Sequence, residues 1–236
     1  MEPIQIEHGN VKMIAHRGAG KVWVENSIPA FRNSANRSYW GIETDVHVTK
    51  DGKYIIIHDD NTERVTGVDL IVEATDFDTL RNLRLLGLEG DDARLPTLEE
   101  YVSICKAGNK ICVLELKNRM PEKNIKEIMD LIDAMGYLDH TVFISFSHTN
   151  MMTLEKLAPK QPKQFLIHYK KAEESMEKVR ELPMDVDADS RMLTKEVVDE
   201  IHALGHKVNV WTINTPENAK EMLAAGVDYI TTDIFE

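Results

Sequence analysis

Short runs of successive apolar residues alternate along the whole chain with longer stretches in which apolar residues recur every three or four positions. The short runs fall at 12–18, 41–49, 111–117, 141–147, 163–169, 184–190, 207–214 and 227–233. Several are apolar on consecutive residues, as in Val142-Phe143-Ile144, which suits strands covered on both faces. The longer stretches carry helix signals. One follows Asn26. Thr97 with Glu100 three residues on forms a capping box, and Pro121 with Glu122 suits a first helical turn. Further starts lie near His148, Ala172, Thr194 and Thr215, and Gly136, Gly205 and Gly226 stand where helices should stop. Eight strands alternating with helices predict an α/β fold, a closed (β/α)8 TIM barrel forming one domain over 1–236. The alternative is an open doubly wound sheet, but no G-x-G-x-x-G follows the first strand.

One connection breaks the rhythm. Residues 51–96, after the second strand, read as a small insertion containing a further strand at 54–58 and a short helix at 75–86. Long barrel loops commonly serve function, so the insertion is expected on the catalytic face. At the other end, only Ile234-Phe235-Glu236 follow the eighth strand, too few for a helical turn. The groove between strands eight and one is therefore expected to be covered by residues 1–10 or by the second subunit of a homodimer.

Charge narrows the partners. Forty acidic against 28 basic residues give a net charge of -12, which repels nucleic acid and anionic lipid. A small anionic substrate must then meet local positive charge. The two cysteines, Cys105 and Cys112, fall in segments read as buried and are too few for a disulfide scaffold. The start MEPIQIEHGNVKM lacks the features of a signal peptide, and no apolar run approaches the roughly 20 residues that span a bilayer. A soluble cytoplasmic protein with no stable membrane insertion is expected.

Catalytic groups of such barrels gather at the C-terminal ends of the strands. Glu43 and Asp45 are two apart on one strand and so face the same side, and Glu115 ends the adjacent strand. A single strand-end acid could be an ordinary salt-bridge partner. Three inside otherwise apolar strands repel one another unless a cation or protons intervene, and oxygen ligands favour Mg²⁺ or Ca²⁺ over zinc. His16 and His58 are the candidate proton-transfer groups, because histidine titrates near neutrality. Arg17 and Lys117 supply positive charge for a phosphate. Trp211 lies on the seventh strand, where a tryptophan is as readily a core residue.

Taken in order, His16-Arg17-Gly18, Glu25-Asn26-Ser27, Ile42-Glu43-Thr44-Asp45-Val46 running into Thr49-Lys50-Asp51-Gly52, and His58-Asp59 lead a longer series. Arg64-Val65-Thr66-Gly67, Leu95-Pro96-Thr97-Leu98-Glu99-Glu100, Glu115-Leu116-Lys117, Val210-Trp211-Thr212 and Ile230-Thr231-Thr232-Asp233 complete it. In this the chain resembles the glycerophosphodiester phosphodiesterase family over nearly its whole length. The resemblance implies a (β/α)8 barrel with a small insertion after the second strand. It implies that His16 and His58 are an acid–base pair, that Glu43, Asp45 and Glu115 bind one divalent cation, Mg²⁺ or Ca²⁺, and that Arg17 and Lys117 contact phosphate. By the same resemblance Trp211 walls the substrate pocket. The implied substrate is a small glycerophosphodiester, such as glycerophosphocholine or glycerophosphoethanolamine, cleaved to sn-glycerol 3-phosphate and an alcohol. Two departures stand out: Val24 replaces the family's usual Pro, and the chain stops at Glu236 where the family often continues. The rival readings are a lysophospholipase D-like enzyme forming cyclic phosphates and a catalytically inactive binding barrel. An amidohydrolase-type barrel would want a His-x-His pair on strand one, which is missing.

Overall fold

Strand and helix alternate as the pattern predicts. In the computed structural model, which describes residues 2–236, eight parallel strands pair in a ring. They are β1 (Lys12–Ala15), β2 (Gly41–Val48), β4 (Ile111–Leu116), β5 (Thr141–Ser145), β6 (Lys163–Ile167), β7 (Asp185–Asp189), β8 (Val208–Trp211) and β9 (Tyr229–Thr232). Parallel pairing of β1 with both β2 and β9 closes the barrel. The remaining strand, β3 (Tyr54–Ile56), lies antiparallel on the end of β2, with Val46 opposite Ile56 and Val48 opposite Tyr54.

Helices α1 (Ile28–Ala35), α4 (Leu98–Ala107), α5 (Glu122–Ala134), α6 (His148–Leu157), α7 (Ala172–Val179), α8 (Lys195–Ala203) and α9 (Pro216–Ala225) wrap the outside. Their starts follow the expected caps. Ser27, Thr194 and Thr215 each accept a backbone N–H, and the Thr97–Glu100 capping box is complete in both directions. The connection from β2 to α4 holds β3 and two short helices, α2 (Glu63–Thr66) and α3 (Phe77–Arg81). The latter is shorter than the helix expected over 75–86, because the chain turns at Gly87 and Gly90 and Arg84 bridges to Arg94.

Three apolar clusters follow from this layout. Ile14, Val113, Val142, Ile144, Leu166 and Tyr229 fill the barrel interior. A larger layer, including Phe31, Ile42, Leu114, Phe143, Ile167 and Val210, glues strands to helices, and both Cys105 and Cys112 are fully buried in it. The insertion has its own core of Ile55, Ile57, Val65, Val72, Leu80, Leu85 and Leu95, which lets it stand as a shaped wall over the mouth.

Most strands end before the runs that predicted them. The first stops at Ala15, and His16–Gly18 form a tight turn instead. Arg17 and Gly18 both adopt positive φ, and a Cβ on Gly18 would meet Ala30 and Phe31 at 3.0–3.1 Å. Only glycine lets this turn pack on α1. The residues past each ladder form the rim of the site.

No helix follows β9 among the described residues. Residues 234–236 turn back along the outside of the barrel and pair with the N-terminal segment. Ile4 N–H donates to the Ile234 carbonyl (2.7 Å), Glu236 N–H to Ile4 (2.9 Å) and Ile6 N–H to Glu236 (3.0 Å). Phe235 is fully buried, Ile6 packs on the same core, and Glu236 pairs with Arg37 at 3.3 Å, just before β2. The expected cover over the last groove is thus provided within the chain; Met1, part of the predicted segment, lies outside the described residues. Deleting residues before Val11 is expected to lower stability by about 2–3 kcal/mol, from three hydrogen bonds and the lost packing of Ile6. Urea melts of the full and shortened chains measure this; unchanged midpoints would refute it. No helix of the described residues is long and apolar enough to cross a membrane.

Candidate active site

Alternation along β2 turns Glu43 and Asp45 to the same side, and the ladder sets Asp45 directly beside Glu115 on β4. One oxygen from each of the three carboxylates lies within 4.8 Å of the others, and all three residues are buried. Lys117 leaves β4 just beyond, with Nζ 3.1 Å from Glu115 and 3.5 Å from Asp45. The positive-φ turn at Arg17 points its backbone N–H at Glu43 (2.8 Å), while its guanidinium donates to Glu25 (3.0 Å) and approaches Asp45 at 3.8 Å. Asn26 donates to Asp45 (2.8 Å) and is itself oriented by the Thr44 hydroxyl (2.7 Å).

Charge does not balance here. Burial, and then the charge of Asp45, push Glu43 well above the ordinary carboxylate range and raise Glu115 to about 7. Burial acts the same way on Asp45, but Lys117, His58 and Arg17 outweigh it and hold that carboxyl low. Asp45 Oδ1 has no hydrogen-bond donor among the described residues. Three carboxylates face Lys117 and an Arg17 already engaged by Glu25, so the cluster either takes up protons or accepts a further cation. It could hold a metal ion.

The two histidines flank this cluster. His16 leaves β1 with Nδ1 2.7 Å from Asp233 and Nε2 4.0 Å from Glu43. Asp233 follows β9 and is fixed by the Asn214 amide (2.7 Å). His58 reaches the mouth because β3 runs antiparallel to β2 and Ile57 still donates to the Asp45 carbonyl (3.1 Å). Its Nδ1 is 2.8 Å from Asp59, which Arg64 clamps while also binding Glu25. Burial lowers the His58 pKa below its ordinary value, with Asp45 pulling the other way and Lys117 and Arg17 reinforcing the drop.

His16, Arg17, Glu43, His58, Glu115 and Trp211 line one cleft of about 430 Å³. Asp45 and Lys117 stand beside it in the contacts just given. Trp211 is half-buried, its indole N–H donating to the Asp187 carbonyl (3.2 Å) and its ring met edge-on by Phe146 at 5.7 Å. All eight residues singled out from the sequence therefore meet at one end of the barrel. Of their partners, Asp233 and Arg64 stood in motifs that carry the resemblance but were given no role, and Asn214, Phe146 and Asp187 were not singled out. Asp59 could have been, as the neighbour of His58. The pairing of Asp233 with His16 gave no local signal, because the bond spans 217 residues and exists only once the barrel closes.

The model of the glycerophosphoryl diester phosphodiesterase family matches residues 16–236. A glycerophosphodiester phosphodiesterase of Bacillus altitudinis is 29% identical over 241 residues, covering 94% of each chain. A solved structure of a glycerophosphodiester phosphodiesterase from Parabacteroides distasonis aligns with a TM-score of 0.80 at 29% identity, over 96% of this chain and 94% of that one. A phosphodiesterase from Oleispira antarctica, solved with the product sn-glycerol-3-phosphate, shares the fold at a TM-score of 0.81 and 23% identity, over 94% and 93% of the two chains. From the histidine that follows β1 to the last residue, the chain belongs to the glycerophosphoryl diester phosphodiesterase family.

Proposed function

We propose that the protein hydrolyses small glycerophosphodiesters, such as glycerophosphocholine or glycerophosphoethanolamine, to sn-glycerol 3-phosphate and an alcohol. The observation that carries this reading is the convergence of Glu43, Asp45 and Glu115 between two carboxylate-bound histidines and beside two fixed cationic side chains. An all-oxygen donor set, with an Asp45 oxygen that has Lys117 at 3.5 Å but no hydrogen bond among the described residues, fits one divalent cation, Mg²⁺ or Ca²⁺. When bound, that cation offsets the carboxylate charge and polarises the phosphoryl group.

The chain's own residues account for the rest. Arg17 and Lys117 bind the phosphate and oppose the charge that grows on it. Each histidine uses Nδ1–H to donate to an aspartate, a tautomer assigned from the hydrogen-bond network, so each presents Nε2 to the substrate. Asp233 and Asp59 stabilise whichever imidazolium forms. Trp211 and Phe146 give the apolar side of the cleft.

The reading assigns the nucleophile to the substrate, because a glycerol diester carries a hydroxyl next to the bridging oxygen and its attack on phosphorus is intramolecular. One histidine takes the proton of the glycerol hydroxyl next to the bridging oxygen. That oxygen bonds to phosphorus as the bond to the alcohol breaks, and the other histidine protonates the departing oxygen. Water then opens the cyclic glycerol phosphate with the two histidines in reversed roles. An analogue lacking only that hydroxyl is expected to react at least about 10²-fold more slowly, since an intramolecular attack is lost. Hydrolysis of the analogue at the normal rate would establish direct attack by water. Release of glycerol 3-phosphate in step with the alcohol separates this enzyme from one that stops at the cyclic phosphate.

A further inference from the structure

The floor of the cleft holds a carboxyl group that the chemistry above does not use. Asp187 is 2% exposed, lies at the middle of β7 and faces the barrel interior, where it lines the cleft with Leu166, Ile144 and Thr231. Its neighbours in register are Leu166 on β6 and Asn209 on β8. The inward polar residues around it satisfy one another without it. Thr231 donates to Asn209 (3.1 Å) and Asn209 to Gln164 (3.1 Å). Asp187 Oδ1 is left with no hydrogen-bond partner among the described residues. A buried unpaired carboxyl oxygen is costly, and such groups in a cleft call for a partner from outside the chain.

The shape of the cleft says which part of the substrate that is. Its lining grades from a buried floor of Glu43, Glu115, Asp187 and Thr231 to an exposed mouth at Phe146. The polar floor suits the hydroxyl-bearing glycerol moiety, and the open mouth suits the alcohol, whose size varies between substrates. Resting on the phosphodiesterase reading above, we propose that Asp187 is a specificity residue that hydrogen-bonds the terminal hydroxyl of the glycerol moiety. An acyl chain on that oxygen removes the donor and must enter a closed floor, so the site selects the fully deacylated diester over a lysophospholipid. Burial, and then the charge of Glu115, push the Asp187 carboxyl well above the ordinary range. Either protonation form can bond a hydroxyl, so recognition does not depend on which is present.

The test pairs three proteins with three substrates. Wild type, Asp187→Asn and Asp187→Leu are assayed, with metal present, on glycerophosphoethanolamine and on the ethanolamine diester of propane-1,2-diol 1-phosphate. The latter keeps the hydroxyl next to the phosphate and lacks the terminal one. A 1-acyl lysophosphatidylethanolamine is the third substrate. Wild type is expected to lose roughly 10²-fold or more in kcat/KM on removal of the terminal hydroxyl, because a buried polar group is then left unpaired, and to cleave the lysophospholipid no better. Asp187→Leu should fall by a similar factor on glycerophosphoethanolamine but change little on the analogue, with Asp187→Asn between the two. Because the leucine removes an unpaired buried carboxyl, its melting temperature should not fall. Equal losses of Asp187→Leu on both diesters, or a wild type indifferent to the terminal hydroxyl, would overturn the proposal while leaving the phosphodiesterase reading standing. A wild type inactive on every glycerophosphodiester would overturn both.

Discussion

Alanine in place of His58 is expected to cut turnover by about 10² to 10⁴-fold, the range for a general acid–base step, while the protein stays folded. The fold should survive because His58 sits at the mouth with its side chain 33% exposed, and the described residues give its ring one side-chain hydrogen bond, to Asp59. Removing the ring leaves Asp59 still held by Arg64. His16→Ala should match it, since Asp233 keeps Asn214. Asp59→Asn and Asp233→Asn should cost less, because they loosen and mis-orient the ring without deleting it. Single-turnover rates with circular dichroism as the folding control decide the matter. Near-normal turnover in His58→Ala would mean that the insertion does not deliver an acid–base group, and the paired-histidine mechanism would fail.

The second large effect is loss of activity on removing the cation or its ligands. Excess chelator should abolish turnover, and added Mg²⁺ or Ca²⁺ should restore it. Glu43→Gln, Asp45→Asn and Glu115→Gln should each stay inactive at ordinary metal concentrations. Stability gives a readout independent of activity. In the metal-free protein Glu115 is raised to about 7 by burial and by Asp45. A carboxyl raised on folding binds its extra proton only in the native state. It therefore favours the native state at low pH, and that contribution is lost as pH rises through about 7. A cation replaces the proton, so thermal stabilisation by metal should be larger at about pH 8 than at about pH 6. Full activity in excess chelator, with no metal in the purified protein, would refute the metal site.

Much of this was legible in the sequence for a definite reason. The eight-strand rhythm, the helix caps and the pairing of Glu43 with Asp45 depend on neighbours a few residues away. Strand alternation and capping act locally, so spacing reveals them. The adjacency of Glu115 followed from the strand rhythm, since consecutive barrel strands lie side by side, and the register of Asp45 against Glu115 agrees.

What the sequence could not state were contacts made by closure. His16 finds Asp233 because β9 returns beside β1, and His58 is carried to the cleft because β3 folds back on β2, with Ile57 N–H donating to the Asp45 carbonyl. The stopping points of strands are likewise tertiary. The alternating pattern continues past Ser145 where the ladder does not, and at Ala15 a rim turn fixed by the packing of Gly18 on α1 ends the first strand. The cover of the last groove depends on Ile4 meeting Phe235 from the opposite end of the chain. Asp187 is the clearest case. Asp185-Val186-Asp187-Ala188-Asp189 reads as an alternating strand with three equivalent acids. Tertiary structure gives Asp189 the guanidinium of Arg191 and Asp185 the backbone N–H of Lys207. It leaves an oxygen of Asp187 unpaired on the cleft floor. Local spacing sets which way a side chain points, and only the closed barrel sets what it meets.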